Sequence, residues 1–273
     1  MIVDTHLHLF DPVSRPFDAA AQYRPAAQEC ATWPALRDLM VAHGVQQGWL
    51  VAPTAGYDRD RGALPHFLAQ AGGRLAGVAR LGGDEDDAEL DRLAAAGVVG
   101  VRLDLRHDPP ALARRLRESA SVLRWARRRW FVQIQAEAKV WRGLVEEVGL
   151  WPVSLVIDHC GWPDPAQGHG SADFGAVCAL ARRPATWIKL SGVFRFSRAP
   201  WPHDDTLTFV KALRRSFGPQ RCLWGSDWPF VRIAQRLDYG AVLGLLARAV
   251  PDAAERRQIL ERSPHDLLAT GAA

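Results

Sequence analysis

Lysine is nearly missing from this chain. Lys139, Lys189 and Lys211 are the only three in 273 residues, so almost all of the positive charge is arginine. A guanidinium grips carboxylates through a bidentate fork, which suits an anionic small substrate. The formal net charge is +4, and its densest run, residues 124–129, falls on an amphipathic segment without a recognisable nucleic-acid module; it reads as a solvated helix face, and no nucleic-acid partner is expected. The four cysteines (Cys30, Cys160, Cys178, Cys222) show no C-x-x-C spacing, which argues against a cysteine zinc site or a disulfide scaffold. No apolar stretch approaches the roughly 20 residues of a membrane span. The opening Met1-Ile2-Val3-Asp4 has neither a basic n-region nor an apolar h-segment. A reduced, cytoplasmic protein with no membrane partner is the expectation. Low-complexity tracts and Pro/Ser linkers are also missing, so residues 1–273 are expected to form one domain.

What the chain does have is alternation. Eight short, nearly continuous apolar runs occupy residues 2–5, 48–52, 75–81, 98–104, 131–135, 154–158, 186–191 and 221–225. Such runs suit parallel strands covered by helices. Helical periodicity fills residues 33–43, 86–96, 111–129 and 139–148, with closing helices at 239–250 and 253–262. Eight strand–helix units predict an α/β fold of the (β/α)8 TIM-barrel type, which typically needs about 250 residues.

In such a barrel the active site is built at the C-terminal ends of the strands. His6 and His8 are two apart on the first strand and project together. Arg102 and Asp104 end the fourth strand, Gln133 and Gln135 the fifth, Asp158 and His159 the sixth, and Lys189 lies on the seventh, ahead of Arg195. Ser226-Asp227-Trp228 closes the eighth. Imidazoles, a carboxylate and guanidinium groups therefore converge on one rim. A carboxylate can take a proton from water, while imidazoles can hydrogen-bond a developing oxyanion or bind a metal.

Five segments carry a family resemblance: Asp4-Thr5-His6-Leu7-His8-Leu9-Phe10, residues 97–105 (GVVGVRLDL), Val156-Ile157-Asp158-His159-Cys160-Gly161, residues 188–192 with Arg195, and residues 223–229 (LWGSDWP). In this order they resemble the amidohydrolase superfamily. Within it, the nearest branch holds the 2-pyrone-4,6-dicarboxylate lactonases and related sugar-lactone and muconolactone hydrolases. The resemblance implies Asp227 as general base, with His6, His8 and His159 lining the site and polarising the scissile carbonyl. It further implies Arg102 and Arg195 as carboxylate holders and Tyr23 as a substrate contact, and places Trp162 and Gln135 in the binding pocket. It implies a hydrolase acting on carboxylic ester bonds, a lactonase that opens a carboxylate-bearing cyclic ester.

The chain also departs from the pattern of the family it resembles. The ligands of a second metal are replaced on strands four and five by Arg102, Gln133 and Gln135, so a site needing no cofactor is the first expectation. A single zinc on His6, His8 and Asp227, with or without His159, is the alternative, and a mononuclear zinc-dependent amidohydrolase or decarboxylase is then the second reading. A ligand-binding barrel without turnover is the third. Trp162 stands where the dicarboxylate lactonases have an Arg, Phe230 where His is frequent, and Arg106 near a further family Arg. Trp162, Phe230, Phe194 and Trp201 predict an aromatic pocket for a less charged substrate. Bland readings stand beside these: Asp227 as a helix N-cap, Lys189 as a structural contact, Cys160 as packing, and His43, His66, His107, His169, His203 and His265 as solvated.

Overall fold

The computed structural model describes residues 1–57, 60–105 and 109–270; Arg106 and His107 lie outside them. Eight parallel strands pair in sequence order: β1 (Ile2–Leu7), β2 (Val45–Val51), β3 (Leu75–Arg80), β4 (Val98–Asp104), β5 (Phe131–Gln135), β6 (Leu155–Ile157), β7 (Thr186–Lys189) and β8 (Cys222–Leu223). The expected (β/α)8 barrel is what forms. The segment after β8 closes it onto β1: Thr5 N donates to Trp224 O (3.0 Å), Asp227 N to His6 O (2.9 Å) and His8 N to Trp228 O (3.0 Å). β8 is shorter than the expected 221–225 because residues beyond Leu223 turn their hydrogen bonds to β1. β1 runs to Leu7, two residues past the expected end, so His6 is a strand residue.

Side chains alternate across each strand, and the lumen is therefore layered. Val3, Trp49, Val51, Val78, Phe131, Val156, Trp187 and Leu223 form a separate apolar cluster. Two residues further along, the same faces turn polar. Phe131 leads to Gln133 and Gln135, Val156 to Asp158, Trp187 to Lys189, and Leu223 through Gly225 to Asp227. The Lys189 ammonium rests 5.6 Å from the Trp49 ring centroid, joining the layers.

The outer helices bury their apolar stripes against the barrel. Asp87–Ala95 is N-capped by the Asp86 side chain, which accepts from Glu89 N, and buries Leu90 and Leu93. The expected helix over 111–129 is two helices, Pro109–Glu118 and Ser121–Arg127, broken at Ala120 with φ 59°. The break lets Ser121 Oγ and Arg124 Nη2 each donate to Gly83 O at 3.0 Å. Arg128 meets Asp91 (2.6 Å) and Asp87 (3.0 Å), so part of the basic run is neutralised by neighbouring acids. Helices Ala63–Ala71, Ala172–Ala179 and Leu207–Phe217 were not anticipated. Among the described residues no helix is long and apolar enough to cross a membrane.

Candidate active site

Asp227 sits at the centre of the site. Its carboxylate is 1 % exposed, and the backbone there is left-handed (φ 64°). A non-glycine residue held so costs about 1–3 kcal/mol, and such strain persists where surrounding contacts over-determine it. No helix follows, so the N-cap reading of Asp227 falls. Oδ1 lies 3.5 Å from His8 Nε2 and 3.9 Å from His6 Nε2, while Oδ2 lies 3.9 Å from His159 Nε2. Arg195 Nε donates to Oδ2, and its Nη1 donates to Val231 O at 3.2 Å. Burial alone would raise the Asp227 pKa, but the Arg195 guanidinium, the largest opposing influence, pulls it the other way, and the carboxyl lies well below its ordinary range.

Two glycines make the crowding possible. A Cβ on Gly192 would meet His159 Nδ1 at 2.5 Å, and one on Gly225 would meet His6 Cβ at 2.6 Å. Burial lowers the pKa of all three histidines, that of His159 to about 4. They are thus neutral near pH 7. His8 Nδ1 is 2.7 Å from Val51 O, a pure acceptor, so the proton sits on Nδ1 and Nε2 presents a lone pair to Asp227. His159 Nδ1 faces Ser191 Oγ at 3.1 Å.

Beneath lies a buried ionic floor that the sequence reading did not single out as site residues. Lys189 Nζ donates to Gln133 Oε1 (2.6 Å) and Thr5 O (2.7 Å), and lies 3.3 Å from His6 Nδ1 and 3.6 Å from Asp158 Oδ1. Gln133 Nε2 donates to Asp158 Oδ2 (2.7 Å). Asp158 Oδ1 stands 3.2 Å from His6 Nδ1. Burial opposes ionisation of Asp158, but His6 and the Lys189 ammonium hold its pKa well below normal. Burial pulls the Lys189 pKa down to about 8. The period-2 step from Phe131 and Trp187 was the signal that could have found Gln133 and Lys189.

A cavity of about 280 Å³ opens above Asp227. His8, His159, Asp227, Arg102, Arg195, Gln135 and Trp162, all named from the sequence, line it; Phe10, Thr54, Val231 and Arg232 line it too. Arg102 is buried, donates to Ala52 O (3.2 Å) and to Gln135 Oε1, and places Nε 3.6 Å from Asp158 Oδ2. His6 lies behind the lining, within reach of Asp227. Tyr23 is not in the wall: its hydroxyl donates to Glu29 Oε2 at 2.6 Å. Of the expected aromatic wall only Trp162 faces the cavity. Phe194 and Phe230 pack edge-on at 5.6 Å, and Trp201 is 44 % exposed at the surface. His203 corrects another expectation, being buried rather than solvated, with Nδ1 3.2 Å from Ala199 O. Cys160 is buried as packing, its thiol pushed up to about 12.

Two imidazoles and a carboxylate also make a fair metal donor set. Donor atoms of His6, His159 and Asp227 lie within 4.8 Å of one another, and His6 Nε2, fully buried, has no hydrogen-bond partner among the described residues. His159 joins this group, while His8 Nε2 lies 3.5 Å from Asp227 Oδ1 outside it.

A parallel barrel with imidazoles, a carboxylate and guanidinium groups at the carboxyl ends of its strands defines a hydrolase of the amidohydrolase type. The amidohydrolase family profile matches residues 3–269, and the chain belongs to that family. It is 31 % identical over 268 residues to a 4-sulfomuconolactone hydrolase of Rhizobium radiobacter, covering 96 % of this chain and 87 % of the relative. It is 30 % identical over 273 residues to a 2-pyrone-4,6-dicarboxylate hydrolase of Comamonas testosteroni, covering 96 % and 88 %. Among solved structures, a 2-pyrone-4,6-dicarboxylic acid hydrolase from Pseudomonas putida matches with TM-score 0.84 and 28 % identity, over 98 % of this chain and 97 % of that one. An amidohydrolase from Burkholderia multivorans with bound zinc shares the fold (TM-score 0.81, 22 % identity, 98 % and 99 % covered).

Proposed function

We propose that this enzyme is a lactonase in which Asp227 activates water against a cyclic ester carrying an anionic group. The observation that carries the reading is the pair of facing acceptors, Asp227 Oδ1 and His8 Nε2, 3.5 Å apart at the cavity wall. Two acceptors so close need a shared donor. A water giving one proton to each turns its lone pairs outward to the substrate. Its oxygen bonds to the carbonyl carbon as one proton passes to Asp227. With Ser191 donating to His159 Nδ1, the His159 Nε2–H steadies the developing oxyanion. The ring C–O bond then breaks, and the proton returns from Asp227 to the departing oxygen, giving a hydroxy acid. The two lactone hydrolases that the chain resembles over nearly its whole length support this reading.

Asp227 is a weak base while Arg195 holds Oδ2. An anion or carbonyl oxygen that draws Arg195 toward the substrate strengthens Asp227 as base. Binding and activation are then linked through one guanidinium.

The orphaned His6 Nε2 favours a second reading, a mononuclear zinc enzyme held by His6, His159 and Asp227. A zinc there would act as a Lewis acid on the scissile carbonyl. Lys189 beside His6 and Arg195 on Asp227 oppose a further cation, so the metal-free reading is preferred. A panel of aldonolactones, muconolactones and pyrone carboxylates, assayed with and without chelator, separates the two. Ring opening that survives chelation within about twofold is expected. Loss on chelation with recovery on zinc transfers the assignment to the second reading, and no lactone opened at all rejects the first.

A further inference from the structure

We infer that Arg232 is the residue that reads a substrate carboxylate at the cavity mouth, with Tyr23 and Glu29 as its positioning residues. The inference rests on the lactonase reading and names the group that selects among lactones.

Three guanidinium groups line the cavity, and they differ in what they already hold. Arg102 donates to Ala52 O and Gln135 and lies beside the buried Asp158 carboxylate. Arg195 is on Asp227 and Val231 O. Each of these two charges is balanced by a buried carboxylate. Arg232 is exposed, and its side chain makes only one long hydrogen bond among the described residues, from Nη2 to Thr54 O at 3.4 Å. Among the described residues no carboxylate oxygen stands within ion-pair distance of its guanidinium. The residue is exposed and lines the cavity, with the Glu29 carboxylate the nearby negative charge that it influences.

The group is nevertheless held. The guanidinium carbon lies 4.6 Å from the Tyr23 ring centroid, a cation–π platform that leaves the edge donors available. The Arg232 backbone is left-handed (φ 65°), and its N–H donates to Glu29 Oε1 at 2.6 Å. Glu29 Oε2 accepts from Tyr23 OH (2.6 Å) and Ala26 N (2.8 Å). One buried carboxylate thus ties the loop after β1 to the loop after β8 and fixes platform and cation together. The arrangement also gives Tyr23 a role that its absence from the cavity wall would otherwise deny it. A cyclic ester seated at Asp227 would point a carboxylate on its far side toward Arg232.

The test uses paired substrates, 5-oxotetrahydrofuran-3-carboxylate and its carboxamide, which differ in charge and little in shape. The ratio of their kcat/KM values is measured for the wild type, Arg232→Gln and Arg232→Lys. We expect Gln to lower the carboxylate preference roughly 10- to 100-fold, the size of one charge-assisted contact, and Lys to retain part of it. A calorimetric arm measures binding of 3-oxocyclopentane-1-carboxylate, a ketone in place of the ester, against its amide. If the wild type opens neither lactone yet binds the ketone acid through Arg232, the lactonase reading loses this substrate pair and the anion site stands. An unchanged ratio in Arg232→Gln, or an equal fall for both substrates, overturns the inference.

Discussion

The floor and the mouth of this cavity hold charge in opposite ways. On the floor, Lys189, Asp158, Gln133, His6 and Arg102 are buried on strands or immediately after them, and each charge meets an opposite one within 3.6 Å. At the mouth, Arg232 stands on a loop, exposed and stacked on a ring, with no carboxylate oxygen in ion-pair range among the described residues, although Glu29 feels its charge. Buried charges must be balanced or they unfold the protein, so the floor is fixed in composition. Exposed charge costs little, so the mouth is free to vary with substrate. Chemistry sits on the rigid part and selection on the permissive part.

Substitutions can break that contrast. Asp227→Asn keeps the shape of the floor but cannot accept a proton, and should cut kcat/KM about 10³-fold with the melting curve retained; near-normal turnover would remove Asp227 as base. Lys189→Met leaves Asp158 to the Arg102 guanidinium alone among the described cations and takes the donor from the buried Thr5 O and Gln133 Oε1; it should destabilise the fold by roughly 3–5 kcal/mol, read from denaturant titration. A mild effect of Lys189→Met would mean that the floor tolerates imbalance as the mouth does.

A smaller effect tests the seam where β1 meets the segment after β8. Asp4 Oδ1 accepts from His6 N and Ser226 N (both 3.0 Å), and Oδ2 from Tyr239 OH (2.7 Å). Burial raises its pKa from 3.8 to about 6 against these hydrogen bonds. Between about pH 4 and 6 the unfolded chain has released this proton and the folded chain keeps it. Asp4 therefore contributes stability that is complete below about pH 4 and lost as pH rises through about 6. Asp4→Asn should flatten the fall in stability across that window by about 2–3 kcal/mol. Parallel wild-type and mutant curves would show that Asp4 does not titrate there.

The same contrast decides what could be read without coordinates. The barrel was legible because eight apolar runs alternate with helical periods. His6, His8, His159 and Asp227 were legible because strand ends give them a common direction. Lys189 and Gln133 obey the same period, yet polar residues inside apolar strands look like interruptions until the lumen's layers are seen. Arg232 left no signal. Loops have no period, and its partners Tyr23, Glu29 and Thr54 come from two other loops. Tyr23 was placed near the substrate by resemblance and instead supports the residue that lines the cavity. The aromatic wall failed for a related reason: composition names Phe194, Phe230 and Trp201 but not their direction.

Arg195 belongs to both regions, and its removal gives the smallest and sharpest test. Its side chain is partly exposed like the mouth, yet Nε is bound to Asp227 on the floor. Arg195→Ala deletes one donor to a substrate anion, which should raise KM for a carboxylate-bearing lactone roughly tenfold. It also lifts the influence that most depresses the Asp227 pKa, making that carboxylate a stronger base. The two effects pull apart: KM should rise while kcat changes by less than about threefold. A collapse of kcat at constant KM would instead assign Arg195 to the floor, as a group whose contact with Asp227 is needed in the transition state itself.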